Sequence, residues 1–195
     1  MSIFRRLTAV GLAVGVLLTL SGCSKLEKLQ SAMSSAQSMA SANISQWTAD
    51  KMTQAFAAIN AKIGADPADY VEVLINEYSL AVKAIDPHKR ENVDKYAYQG
   101  GGVEVTPVDA SRNSPGAVEA SAFKGDTVKP AVLAQTMASA PNDSGVENPK
   151  IEFVLVKRFK FNDNQPEIQI DVMGPRASKI IHYDLTGKLL DVSQG

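Results

Sequence analysis

Two histidines, one cysteine and one candidate charge pair are the residues of this 195-residue chain whose types could do chemistry, and their spacing brings few of them together. His88 follows Asp86-Pro87 and precedes Lys89-Arg90, which reads as an exposed loop at a helix end. His182 alternates with Ile181 and Tyr183 and shares a face with Ile180 and Asp184, the pattern of a sheet histidine that is solvated or locally bonded. The two lie 94 positions apart, and neither has a nucleophile or orienting acid beside it in sequence. There is no G-x-S-x-G elbow, no phosphate loop and no H-E-x-x-H helix. No ligand spacing would hold a metal. The sequence therefore predicts no catalytic residue, no metal and no cofactor, and argues against an enzyme.

The remaining candidate, Cys23, closes an apolar run. Arg5 and Arg6 form a positive start, Leu7 to Leu20 an apolar stretch, and Leu20-Ser21-Gly22-Cys23 a small-residue end. The run falls short of the roughly 20 residues that span a bilayer, and Ser21, Gly22, Ser24 and Lys25 end it abruptly. Leu20-Ser21-Gly22-Cys23 resembles the lipobox of bacterial lipoproteins. That resemblance implies cleavage before Cys23, diacylglycerol on its thiol and acylation of the new amino terminus. Several acyl chains give durable anchoring where one is marginal. Ser24, standing where an Asp commonly retains such proteins in the inner membrane, implies the outer membrane, on its periplasmic side.

Without residues 1–22 the chain carries 18 Lys and Arg against 21 Asp and Glu, a formal charge of about -3. Nucleic-acid binding needs a basic footprint, and neither the balance nor any Lys/Arg run supplies one. With Cys23 lipidated no thiol is left for a disulfide, so the fold must hold by its core.

The remaining length suits one domain. From Leu29 to Ala49 there is no charged residue, and Ser, Ala, Gln and Met dominate. We read residues 23–46 as a lipidated Ser/Ala/Met-rich tether. Within it Leu26, Leu29, Met33, Ala36, Ala40 and Trp47 fall near a 3-4 spacing, interrupted at Asn43. A partly helical spacer, a weak coiled coil or membrane-lying segment, and disorder all remain open, because the many serines lower helix propensity.

The folded part, residues 47–195, is expected to begin at Trp47 and Thr48. Thr48 is a plausible N-cap, Met52, Phe56, Ile59 and Ile63 recur at helical spacing, and Gly64 stops the helix. Asp66-Pro67-Ala68-Asp69 looks like a second helix start. Val71, Leu74, Ile75, Tyr78, Ala81, Val82 and Ile85 then predict a helix over 67–85, making a helical hairpin.

Beyond it the chain predicts strands. Val93 to Val105 reads as a hairpin turning at Gly100-Gly101-Gly102, with Pro107 ending it or marking an edge. Asp109 to Asp126 reads as a long loop, and Pro130 to Ala138 as a short helix. Ile151 to Phe161, Glu167 to Met173, Lys179 to Leu185 and Leu189 to Val192 predict an antiparallel meander. Placing Phe159 and Phe161 on the core side sets Phe159 opposite Ile170 and Arg158 opposite Asp171, a solvated charge pair. Two strand-Gly turn-strand units, at Tyr98 and Tyr183, hint at duplication, but the predicted helices do not superimpose at that 85-residue offset. The terminal Tyr-Asp-Leu-Thr-Gly-Lys-Leu-Leu-Asp-Val hairpin resembles the last hairpin of small periplasmic PepSY-type domains, and carries no functional residue across.

The expected fold class is α+β: a helical tether and helical hairpin on an antiparallel sheet, with one short additional helix. The expected role is a lipoprotein anchored in the cell outer membrane that binds an envelope protein partner or is structural. A periplasmic modulator docking a partner through the sheet or the long loop is the alternative, ahead of an enzyme.

Overall fold

A computed structural model describes residues 43–109, 116–159 and 163–195. Cys23 and most of the tether lie outside the described residues, as does Phe161. The protein has an α+β fold: a nine-stranded antiparallel sheet carries helices on one face.

Helix α1 spans Ala49–Ile63, as its signals predicted. Thr48 Oγ1 accepts from the Lys51 N–H at 3.3 Å, and Gly64 leaves the helix at φ 78°, a left-handed position that suits a residue without Cβ. Met52, Ala55, Phe56, Ile59 and Ile63 are buried against the sheet.

The predicted second helix is instead a hairpin of β1 (Asp69–Ile75) and β2 (Leu80–Ile85), so the helical hairpin is not formed. A bulge between Tyr70 and Glu72 interrupts the two-residue alternation at the start of β1, so Tyr70 and Val73, three positions apart, are both buried and no strand period shows there. β2 adds to the effect because Ala81 and Ile85 are buried as well as Leu80, Val82 and Ala84. The turn is fixed by Asn76, whose Oδ1 accepts the N–H groups of Tyr78 and Ser79 at 2.8 and 2.9 Å.

β3 (Val93–Gln99) and β4 (Gly102–Val108) form the expected hairpin, and β4 is an edge strand that tolerates Pro107. The predicted long loop is only partly a loop. After residue 115 the chain forms α2 (Ala117–Ser121), β5 (Phe123–Lys124) and a 3-10 turn at Gly125–Thr127. β5 pairs with β1, and Phe123 packs edge-on to Tyr70 at 6.4 Å. Helix α3 runs from Pro130 to Ser144, six residues past its predicted end, and passes through Pro141 before Gly145 stops it at φ 63°. β6 (Lys150–Arg158), β7 (Pro166–Met173), β8 (Ser178–Asp184) and β9 (Leu189–Gln194) form the meander.

The predicted β6–β7 register is wrong. Val154 and Val156, and not Phe159, face the core, opposite Ile170 and Ile168, and a bulge lies between Ile151 and Phe153. Phe159 falls past the end of β6. Arg158 lies opposite Pro166 and donates to the carbonyls of Ala122 and Asn164, while Asp171 lies opposite Phe153.

The strand order β4-β3-β2-β1-β6-β7-β8-β9 places two four-stranded meanders back to back, each preceded by a 15-residue helix. The architecture is thus repeated, where the sequence argued against repetition. Ala49 to Pro130 and Asp69 to Lys150 are each 81 positions, whereas Val93 to Ser178 is 85. A longer β6 and a longer β6–β7 connection in the second half break the constant offset. One row of side chains crosses the core side of the whole sheet: Tyr98, Leu80, Ile75, Val154, Ile170, Ile181 and Val192. Helices α1 and α3 cover this side and touch each other.

Candidate binding cleft

Sequence signals put the start of the folded part at Trp47; in the structure packing begins at Ile44, which is 9 % exposed. Asn43, with an extended backbone, accepts the Ser45 N–H and opens a 3-10 turn over Ile44–Gln46. Trp47 is buried at 3 % exposure, and its indole N–H donates to the Asn76 carbonyl at 2.7 Å. The Gln46 side chain donates to the carbonyl of Glu77, and Lys51 lies 4.9 Å over the indole ring. The entering chain is thereby fastened to the β1–β2 turn.

Beside this fastening opens a cleft of about 1660 Å³. Ile44 and Trp47 form one wall. The second half of α3 forms another, through Ala134, Met137, Ala138 and Pro141. Ile151 of β6 lies at its floor, and Leu74 and Phe153, from the opposite sheet face, border it at the end of the sheet. Ala134, Ala138 and Pro141 follow one another at 4 and 3 positions, so this side of α3 is flat and admits close approach. Pro141 has no N–H to return to the Met137 carbonyl, so the helix lacks that one bond at this wall.

Glu77, Lys150 and Glu152 are the charged groups at the cleft, so its electrostatics select neither strong anions nor strong cations. Tyr78 and Met173, at 49 % and 46 % exposure, stand at its mouth, among five large hydrophobic side chains left exposed in the described residues. Such a surface binds by excluding water from apolar groups.

The sequence-predicted residues lie elsewhere. His88 sits in the β2–β3 turn, not at a helix end; it is exposed, and its N–H is held by Asp86 Oδ1 at 2.8 Å. His182 is locally bonded as read. It stands on the sheet face away from the helices, with Nδ1 3.0 Å from Glu167 Oε1 and the Phe159 ring edge-on at 6.0 Å. This pair is mostly buried, at 17 % and 5 % side-chain exposure, and it fixes the orientation of the imidazole. The structure does not bring His88 and His182 together. Asp171, on that same face, has its carboxyl raised above the usual range by burial, with Glu152 adding to it. No group of His, Cys, Asp and Glu among the described residues could hold a metal ion.

The cleft itself was missed by sequence reasoning, because its walls come from four separate segments and consist of ordinary apolar residues. Trp47 was the one available signal. No helix among the described residues is long and apolar enough to cross a membrane. Compared with protein-family models, curated proteins and solved structures, the chain matches none of them.

Proposed function

We propose that this protein is a lipid-anchored component of the bacterial envelope, attached through Cys23 on the periplasmic side of the outer membrane, that works by binding and not by chemistry. The apolar cleft carries this reading: it lies where the chain enters the domain from its anchor, with Tyr78 and Met173 exposed at the mouth. The lipobox-like Leu20-Ser21-Gly22-Cys23 supports the anchor, and Ser24 supports the outer membrane. An apolar segment of another envelope protein is the ligand the lining suits.

A second reading has a specific observation in its favour. The helices cover one side of the sheet, and on the other Leu74, Leu155, Phe153 and Ile180 are half-buried neighbours along the central strands. A modulator of a protein partner would dock there.

Two experiments decide. Cys23→Ser should abolish fatty-acid labelling and release the protein from membranes; a variant that still pellets after a high-salt wash overturns the anchor. In photocrosslinking from the intact envelope, Ala138→Glu should remove the main crosslinked species while Leu155→Glu keeps it. The reverse pattern favours the open sheet face.

A further inference from the structure

The sheet face away from α1 and α3 carries a charge pattern that is complementary to its own reverse. One row of side chains crosses it as Lys95 of β3, Lys83 of β2, Glu72 of β1, Lys157 of β6, Glu167 of β7 and Asp184 of β8. Turned end over end, the row sets an acid on every cation: Lys95 meets Asp184, Lys83 meets Glu167, and Lys157 meets Glu72. The next row behaves likewise in size. Leu74 and Leu155 stand at its middle, Ala81 matches Gln169, and Ala97 matches His182, so small side chains of one half meet long ones of the other.

Such a face satisfies itself against a second copy turned about an axis that runs along the strands between β1 and β6. An axis across the strands would instead set Glu167 over Asp171 and Lys157 over Phe153. The first axis also keeps both β1–β2 turns, to which Trp47 fastens each entering chain, at one end of the pair. Two anchors then reach one membrane, a point that rests on reading Cys23 as the anchor. Twisted sheets packed face to face cross at about 30° and touch along their central strands, so the like charges Glu104 and Asp191 on the outer strands β4 and β9 are held apart.

We propose that this protein is a two-fold homodimer joined through the open sheet face, with Leu74 on Leu155 and Glu72 on Lys157 of the second copy. Within one chain Glu72 already lies 2.9 Å from Lys83 Nζ, so the contact extends an existing ion pair into a network. The half-buried Leu74, Phe153, Leu155 and Ile180 lose their remaining water. The dimer takes the face that a modulator's partner would otherwise use, and it does not depend on the cleft.

Light scattering and sedimentation of the full mature chain carrying Cys23→Ser test it without lipid. Twice the chain mass is expected at tens of micromolar, and the mass of one chain for Leu155→Glu. Glu72→Lys and Lys157→Glu should each weaken the dimer about tenfold, because both symmetric contacts become repulsive. An equimolar mixture of these two variants should return to within about threefold of the original affinity, since each chain presents the charge that the other lacks. A variant that merely misfolds gives no such rescue. The mass of one chain at every concentration overturns the dimer, as does a dimer that survives Leu155→Glu or a mixture as weak as its components. A monomer whose envelope crosslink to a different protein is lost with Leu155→Glu also overturns it, and gives the face to the modulator reading. Fatty-acid labelling at Cys23 and the Ala138→Glu variant judge the anchor and the cleft separately.

Discussion

The Tyr183 hydroxyl of β8 donates to Asp143 Oδ2 near the end of α3 at 2.6 Å, and thereby ties the second helix to the sheet beneath it. The first half has a counterpart: Tyr70 of β1 donates to Asn60 Oδ1 of α1, also at 2.6 Å. Both tyrosines are nearly fully buried, at 2 % and 1 % exposure. Each half therefore fixes its helix by the same device, a phenol standing in an apolar layer with its one polar atom satisfied.

Alkaline stability follows from this pair. Burial raises the phenol of Tyr70 above its ordinary value, and burial together with Asp143 does the same for Tyr183. A group whose folded value is raised contributes stability that is fully present below its unfolded value of about 10 and is lost as pH rises beyond it. Phenolate absorbance should show these two of the five tyrosines ionising only with unfolding. Tyr70→Phe with Tyr183→Phe should flatten the alkaline decline and cost about 1 kcal/mol per hydroxyl at neutral pH.

Acid stability depends on a surface network. Asp69 lies 2.7 Å from Lys124 Nζ and 3.0 Å from Arg90, whose other nitrogens reach Glu119. The hydrogen bond from Lys124, joined by that of Arg90, holds the Asp69 carboxyl below its usual range, and Arg90 does the same for Glu119. Depressed carboxylates contribute above their unfolded values of about 4 and lose the contribution as pH falls through the folded ones. The melting temperature should hold from pH 7 to about 5 and fall below about 4. Asp69→Asn should make that acid decline shallower and salt should weaken the network.

Gly174→Ala should be among the most damaging small substitutions. A Cβ there would lie 2.5 Å from the Glu147 carbonyl oxygen and press on the Val146 side chain, so backbone would have to move. We expect a loss of about 1–3 kcal/mol, a fall in melting temperature of several degrees on calorimetry. Ala at the neighbouring, exposed Pro175 should be nearly neutral.

Thr48→Ala removes the side-chain cap of α1 and should cost about 1 kcal/mol. Thermal unfolding should drop by about 2–4 °C, with Thr48→Ser restoring it.

What could be read from the sequence was whatever local chemistry decides. The cap at Thr48, the stop at Gly64, the turn at Gly100–Gly102 and the last four strands all come from short-range preferences, and all stand in the structure. The β1–β2 hairpin was illegible because a bulge interrupts the alternation of β1 and β2 is buried on both faces. α3 outran its prediction because Pro141 sits inside it. The cleft could not be read at all, since Ile44, Met137 and Ile151 line it together only when distant segments meet.

β1 shares its second edge between two neighbours. β5 takes Asp69 and Tyr70, and β6 is left with Val73, Leu74 and Ile75, whereas the ladders inside each half run five to eight pairs. A pull applied from one half of the sheet to the other thus loads the molecule at its shortest ladder, which would part before either meander unzips. The two halves are separate mechanical links joined in series, and amide exchange should show them as two cooperative units.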